Sequence, residues 1–190
     1  MNNLQQEIEN SVAALKAGKV ILYPTDTIWG IGADATNSKA VQRIYKIKKR
    51  DTEKSMIILL DSKEKIKDYV VEVPEIAYDL IEKTRVPLTI VYPKAKNLAK
   101  NLVAKDGSIA IRVVNGEYCS AVVSQFGKPI VSTSANLSGE ASPVTFGNIS
   151  KDLINKVDYV VDLFHSRIKT LKPSTVIKMG EDGMFEILRP

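Results

Sequence analysis

A chain of 190 residues with 44% hydrophobic residues suits one domain that buries roughly 70% of the surface its unfolded form exposes, so it needs no disulfide or metal staple. Its one cysteine, Cys119, excludes an internal disulfide, and the absence of a bilayer-length apolar run or a signal-like start predicts a cytoplasmic protein with no membrane partner. Lys and Arg outnumber Asp and Glu by 27 to 22, a formal charge of +5 that favours anionic partners such as nucleotides or RNA.

Residues 4–17 place Leu4, Ile8, Val12 and Leu15 at helical spacing and run into Gly18, a helix-ending residue. "VILYP" follows as a short β-branched strand, and "YPTDTIWGIG" (23–32) then sets three polar residues before Gly30 and Gly32, which the pattern reads as a turn presenting hydroxyls. "SKAVQRIYKIKK" has helical period with Ser38 as its N-cap. Strands are expected at 55–60, 88–92, 108–114, 129–134, 158–163, 174–179 and 184–189. Helical patterns in "PEIAYDLIEKT", "EYCSAVVSQF" and "ISKDLINKV" separate many of them. The alternation predicts an α/β fold with an open, twisted, mixed sheet flanked by helices and a closing hairpin across "GEDG". The stretch 137–147, rich in Ser, Gly and Pro, is the longest candidate for a mobile loop.

Four stretches could carry chemistry. Gly30-x-Gly32-x-x-Ala35 has the spacing of a dinucleotide fingerprint, but six residues separate the strand from the first glycine, which argues against that motif; no P-loop sequence occurs. "KIKKRDTEK" gathers Lys46, Lys48, Lys49, Arg50 and Lys54, fitting either a solvated helix end or a polyphosphate. "VSTSANLSG" ends a strand in Ser132, Thr133, Ser134 and Asn136, small groups able to bond a phosphate, a ribose or their own backbone. Arg112 inside "SIAIRVV" needs an acidic partner, and a substrate carboxylate is one. The lone His165 reads as incidental, Trp29 and Tyr45 as packing residues, and no metal cluster or Ser-His-acid spacing is present.

Taken in order, "YPTDTIWGIG", Lys48-x-Arg50, "SIAIR", "STSANLSG", "PSTV" and "EILRP" resemble the YrdC family, whose characterised members are threonylcarbamoyl-AMP synthases. The resemblance runs from about Gly18 to Pro190 and implies the short, single-domain form, one YrdC-like catalytic domain over 1–190. It implies an enzyme that joins L-threonine, bicarbonate and ATP, releases pyrophosphate, and supplies the tRNA threonylcarbamoyltransferase machinery. It places threonine on Thr27, Arg112, Ser132 and Ser174, and ATP on Arg50, Lys54, Ser108, Ser134, Ser142 and Arg189. Lys48, Arg50 and Asn136 fall on the positions tied to activity. Mg2+ is expected on the triphosphate, held mainly by phosphates and with no protein metal site. Replacing Lys48 or Arg50 by Ala is expected to abolish turnover with little loss of stability.

The chain departs from that pattern at several points. Asp51 and Ser55 replace prolines, Val114 replaces a proline, Trp29 stands for a tyrosine, and Leu59 stands where the family has a histidine that contacts threonine. The alternatives are a diverged YciO-like paralogue that binds a nucleotide without threonine-dependent turnover, and an RNA-binding domain contacting tRNA or double-stranded RNA through its basic surface.

Overall fold

The computed structural model describes residues 3–51, 56–143, 145–165 and 173–190. In chain order they form α1 (Leu4–Lys16), β1 (Ile21–Pro24), β2 (Trp29–Asp34), α2 (Ser38–Lys48), β3 (Ile57–Leu60), α3 (Glu75–Lys83), β4 (Leu88–Tyr92) and β5 (Ile109–Val113). Then come α4 (Glu117–Phe126), β6 (Ile130–Ser134), the single turn α5 (Lys151–Ile154), β7 (Tyr159–Val160), β8 (Thr175–Met179) and β9 (Phe185–Arg189), with 3-10 turns at Lys63–Asp68 and Phe146–Asn148. All nine strands join one sheet in the order β7-β1-β2-β6-β3-β5-β4-β8-β9. Three pairings are parallel, β1 with β7, β3 with β5 and β4 with β8, so the sheet is mixed as the alternation predicts.

Local chemistry sets the helix ends. Asn3 caps α1 by accepting from Gln6 N at 2.7 Å, and Gly18, just past its end, takes φ +70°, where a side chain would be strained. The cap of α2 is Asn37 rather than the expected Ser38: its Oδ1 accepts from Lys39 N and Ala40 N, leaving Ser38 as the first helical residue.

The largest departure from expectation is β2. Gly30 and Gly32 lie within an entirely buried strand that pairs with β1 and β6, and neither turns the chain. The turn is Thr25 to Ile28, pinned by Thr25 Oγ1, which accepts from Thr27 N and Ile28 N and donates to Ile28 O. The glycines instead clear the strand's surface. A Cβ on Gly32 would stand 2.7 Å from Tyr23 Cε1, and the space it leaves lets the Tyr23 ring reach over to donate its hydroxyl to Ser132 Oγ on β6 at 2.9 Å. The three residues nearest that missing Cβ, Tyr23, Ile130 and Val131, are fully buried, so Gly32→Ala is expected to cost about 2 kcal/mol. A urea midpoint equal to that of the parent would contradict this packing.

Strand alternation divides the core in two. Leu22, Ile31, Ile58, Ile111 and Val131 face α2, which contributes Val41, Ile44 and Tyr45. On the other face Ile21, Tyr23, Leu59 and Ile130 lie under α1 and α4, which are tied by a 2.6 Å hydrogen bond between Ser11 and the Tyr118 hydroxyl. Residues opposite one another in a ladder share a face, so Gly32, Ser132, Ile57, Ala110 and Val91 form one row across the sheet, and Ile130, Leu59 and Arg112 the next. The helices cover the β1 end of these rows. Further along, the face opens into a cavity.

Candidate active site

The cavity measures about 200 Å³, with Ser132, Ile57 and Arg112 on its sheet face, the Thr25–Ile28 turn at one side, and Ser174 and Arg189 at the other. Thr27, Arg112, Ser132 and Ser174, the residues expected for threonine, all line it. So do Arg50, Ser134, Ser142 and Arg189 from the set expected for ATP. They come from the β1–β2 turn, the end of α2, β5, β6, the loop after β6, and the β8–β9 hairpin, which pairs antiparallel across residues 180–184 as expected.

Hydrogen bonds fix these groups. Arg112 is buried; Nη1 donates to Thr27 Oγ1 at 3.1 Å and Nη2 lies 3.0 Å from Asp26 Oδ1. Because Tyr23 donates to Ser132, the Ser132 proton is left for a ligand. Ser174 shares a 2.7 Å bond with Thr89, and its carbonyl accepts from Arg189 Nε and Nη2 at 3.1 and 2.8 Å. Burial, and then the charge of Arg112, lower the pKa of Arg189; burial also lowers that of Arg50. These guanidiniums therefore share a site that anions stabilise.

Three expected residues lie elsewhere. Lys48 does not line the cavity: only 1% exposed, it sends Nζ behind the wall to Ser134 O and Asn136 O, each at 2.5 Å, while its own carbonyl accepts from Ser138 N. Burial, followed by the neighbouring Arg50, lowers its pKa to about 8. The expectation that Lys48→Ala leaves stability almost intact is therefore corrected, because that change opens a hole and strands two carbonyls. Asn136 also stands behind the wall, donating through Nδ2 to Glu140 O at 2.6 Å. Ser108 shares the parity of Arg112 on the same sheet face but gives its hydroxyl to Asp106 Oδ1 at 2.6 Å. Lys54 lies outside the described residues.

Sequence reasoning passed over Tyr23, Met56 and Ile57. Met56 and Ile57 give the polar cavity an apolar patch, and only Ile57 stands in register with Ser132. Leu59, at the position of the family histidine, is fully buried under α1 and α4 and does not line the cavity. Trp29 packs against Phe146 with centroids 4.9 Å apart, and His165 stacks on Phe146 at 3.8 Å. The cavity's oxygen donors are hydroxyls, and among the described residues no group of three His, Cys, Asp or Glu could hold a metal. A magnesium ion fits such a lining only as part of a metal–triphosphate. No helix of the described residues is long and apolar enough to cross a membrane.

Comparisons with known proteins agree with this architecture. A candidate threonylcarbamoyl-AMP synthase of Methanocaldococcus jannaschii is 38% identical over 90% of this chain and 79% of its own length. The threonylcarbamoyl-AMP synthase of Pseudoalteromonas translucida is 35% identical over 83% and 86%. The structure of Pyrococcus abyssi Sua5 complexed with L-threonine superposes with a TM-score of 0.87 at 28% identity; it covers all of this chain, which spans 55% of that protein's length. Escherichia coli YciO superposes at 0.84 with 26% identity over 99% of this chain and 90% of its own. The family model for Sua5, YciO and YrdC, described as "Telomere recombination", matches residues 13–190, and on that match, the relatives and the shared sheet, the chain belongs to the Sua5/YciO/YrdC family.

Proposed function

We propose that the chain is a threonylcarbamoyl-AMP synthase, a nucleotidyltransferase that joins L-threonine, bicarbonate and ATP and releases pyrophosphate. The observation that carries this reading is the convergence of an amino-acid set, Thr27, Arg112, Ser132 and Ser174, and an anion set, Arg50, Ser134, Ser142 and Arg189, on one cavity. The names of the relatives support it.

The chemistry asks for positioning. The threonine amine takes up the carbon of bicarbonate with loss of water, giving a carbamate. A carbamate oxygen then attacks the α-phosphorus of ATP in line, and the bond to the bridging oxygen breaks to release pyrophosphate. Arg112 pairs with the threonine carboxylate, while Ser132 and Thr27 orient the amino acid. Arg50, Arg189 and Lys54 neutralise the phosphates as charge moves onto pyrophosphate, and Ser108 serves a nucleotide laid along the sheet face. Lys48 and Asn136 hold the end of β6 and its loop, so that Ser134 faces the α-phosphate from a fixed position. Magnesium carried by the triphosphate would add charge neutralisation. The 190 residues act as one catalytic unit in the cytoplasm, and the product passes to the tRNA threonylcarbamoyltransferase machinery.

The pure protein with threonine, bicarbonate, ATP and magnesium is expected to release pyrophosphate only when threonine is present, with threonylcarbamoyl-AMP seen by mass spectrometry. Pyrophosphate release indifferent to threonine, or none beside an active control, counts against the synthase. It would favour the YciO-like alternative, whose supporting observation is Leu59, an apolar residue held away from the cavity. An RNA-binding alternative has its own support in a groove on the solvent side of α2, lined by Lys39, Arg43, Lys46 and Lys100, which shares no residue with the cavity.

A further inference from the structure

The turn that carries Thr27 also carries an acid the proposed reaction does not use. Asp26 Oδ1 lies 3.0 Å from Arg112 Nη2, with side-chain exposures of 15% and 4%. A guanidinium buried this deeply needs an opposite charge, and among the described residues no second acid pairs with it. On its other side Asp26 rests against α4: a Cβ built on Gly116, the N-cap, would stand 3.4 Å from Asp26 Cβ. No side chain caps that helix end, so Asp26 sits between Arg112 and the positive pole of α4.

The arrangement disposes the Arg112 fork in a definite way. Thr27 Oγ1 accepts a hydrogen bond from Nη1, Asp26 Oδ1 faces Nη2 as an ion pair, and that oxygen and Arg112 Nε are both buried without a hydrogen-bond partner. Two neighbours on one turn thus meet the outer nitrogens of a side chain 86 positions from Asp26, Thr27 by a hydrogen bond and Asp26 by charge, and leave the inner one unspent. Asp26 also walls a second recess, with Thr84, Arg85 and Asn115, that shares no residue with the cavity, so the ion pair stands between the two spaces.

We propose that Asp26 is a positioning residue for the amino acid: it fixes the plane of the Arg112 guanidinium so that the remaining N–H groups meet the substrate carboxylate. The inference rests on reading the cavity as the threonine site. It makes the turn a single device, in which Thr27 touches the substrate and Asp26 aims the arginine that binds it.

The test uses the full chain, with Asp26→Ala, Asp26→Asn, Arg112→Lys and the double variant Asp26→Ala/Arg112→Lys. Steady-state kinetics for threonine and ATP are read beside calorimetric threonine binding. Asp26→Ala is expected to raise the threonine KM about tenfold, with kcat and the ATP KM within about twofold. Asp26→Asn keeps the shape and one acceptor oxygen and is expected to recover about half of that loss on a logarithmic scale. In the Arg112→Lys background Asp26→Ala is expected to change the threonine KM less than about twofold, since the fork it aims is gone. Equal rises in both KM values, full additivity with Arg112→Lys, or an unchanged threonine KM would overturn the proposal. If Asp26→Ala does not fold, the Asn variant decides by the same split between threonine and ATP. A parent that turns over threonine while Asp26 proves silent sinks this inference alone. A parent that neither binds nor uses threonine sinks the synthase reading, and this inference with it.

Discussion

Replacing Arg112 by Ala is expected to remove threonine-dependent turnover and to weaken calorimetric threonine binding by about a hundredfold. Charge-assisted bonds to a carboxylate contribute about 1.5–3 kcal/mol, and the two arms of a guanidinium act together. The variant should also be less stable by about 3 kcal/mol, because Asp26 is left in a largely buried place without its opposite charge. Arg112→Lys restores the charge without the fork, and recovers stability before it recovers affinity. Threonine binding that survives Arg112→Ala would move the carboxylate site elsewhere.

The second large effect belongs to a residue that touches no substrate. Lys48→Ala is expected to abolish turnover and to lower stability by about 2 kcal/mol, because Ser134 O and Asn136 O lose their shared donor and a buried stem leaves a hole. Lys48→Met fills the hole, so it should recover part of the stability and none of the activity. The pH dependence separates the two roles. The pKa of Lys48 falls from 10.5 to about 8 in the fold, so across that interval the unfolded chain holds a proton that the folded chain has released. Stability from this group therefore rises with pH between those values. Activity moves the other way, falling as pH passes about 8, because the neutral amine holds the two carbonyls less firmly. Urea midpoints of parent and Lys48→Met at pH 7 and pH 10, beside kcat at each, would expose both trends; a pH-independent difference between the two proteins would refute the assignment.

Much of this was open to reading from the sequence because it is written in period and punctuation. Leu4, Ile8, Val12 and Leu15 give α1, and the β-branched runs give the central strands. The β2 strand was hidden because Gly30 and Gly32 mimic a flexible loop, although Trp29, Ile31 and Ala33 alternate with them as a strand requires. The α5 pattern promised a helix over 149–157 and delivered four residues, and β7 shrank from six residues to two, since short edge elements depend on neighbours that local propensity does not register. In the cavity, the residue types were visible and their partners were not. Arg112 announced a need for an acid, yet only tertiary contact makes Asp26 that acid. Lys48 looked like a phosphate ligand because its neighbours are basic, and α2 turns out to bury it.

Ser132 and Ile57, opposite one another in the ladder, give the cavity floor an address system. Their neighbours one step along, Val131 and Ile58, point into the opposite core, so adjacent codons along one strand answer to different masters. Substitutions at Ser132 and Ile57 can reshape what the pocket accepts, whereas the same substitutions one step along, or two steps along at Ile130 and Leu59, would spend their effect on folding. A library meant to alter substrate choice should therefore be written at the cavity-facing ends of β3 and β6 alone.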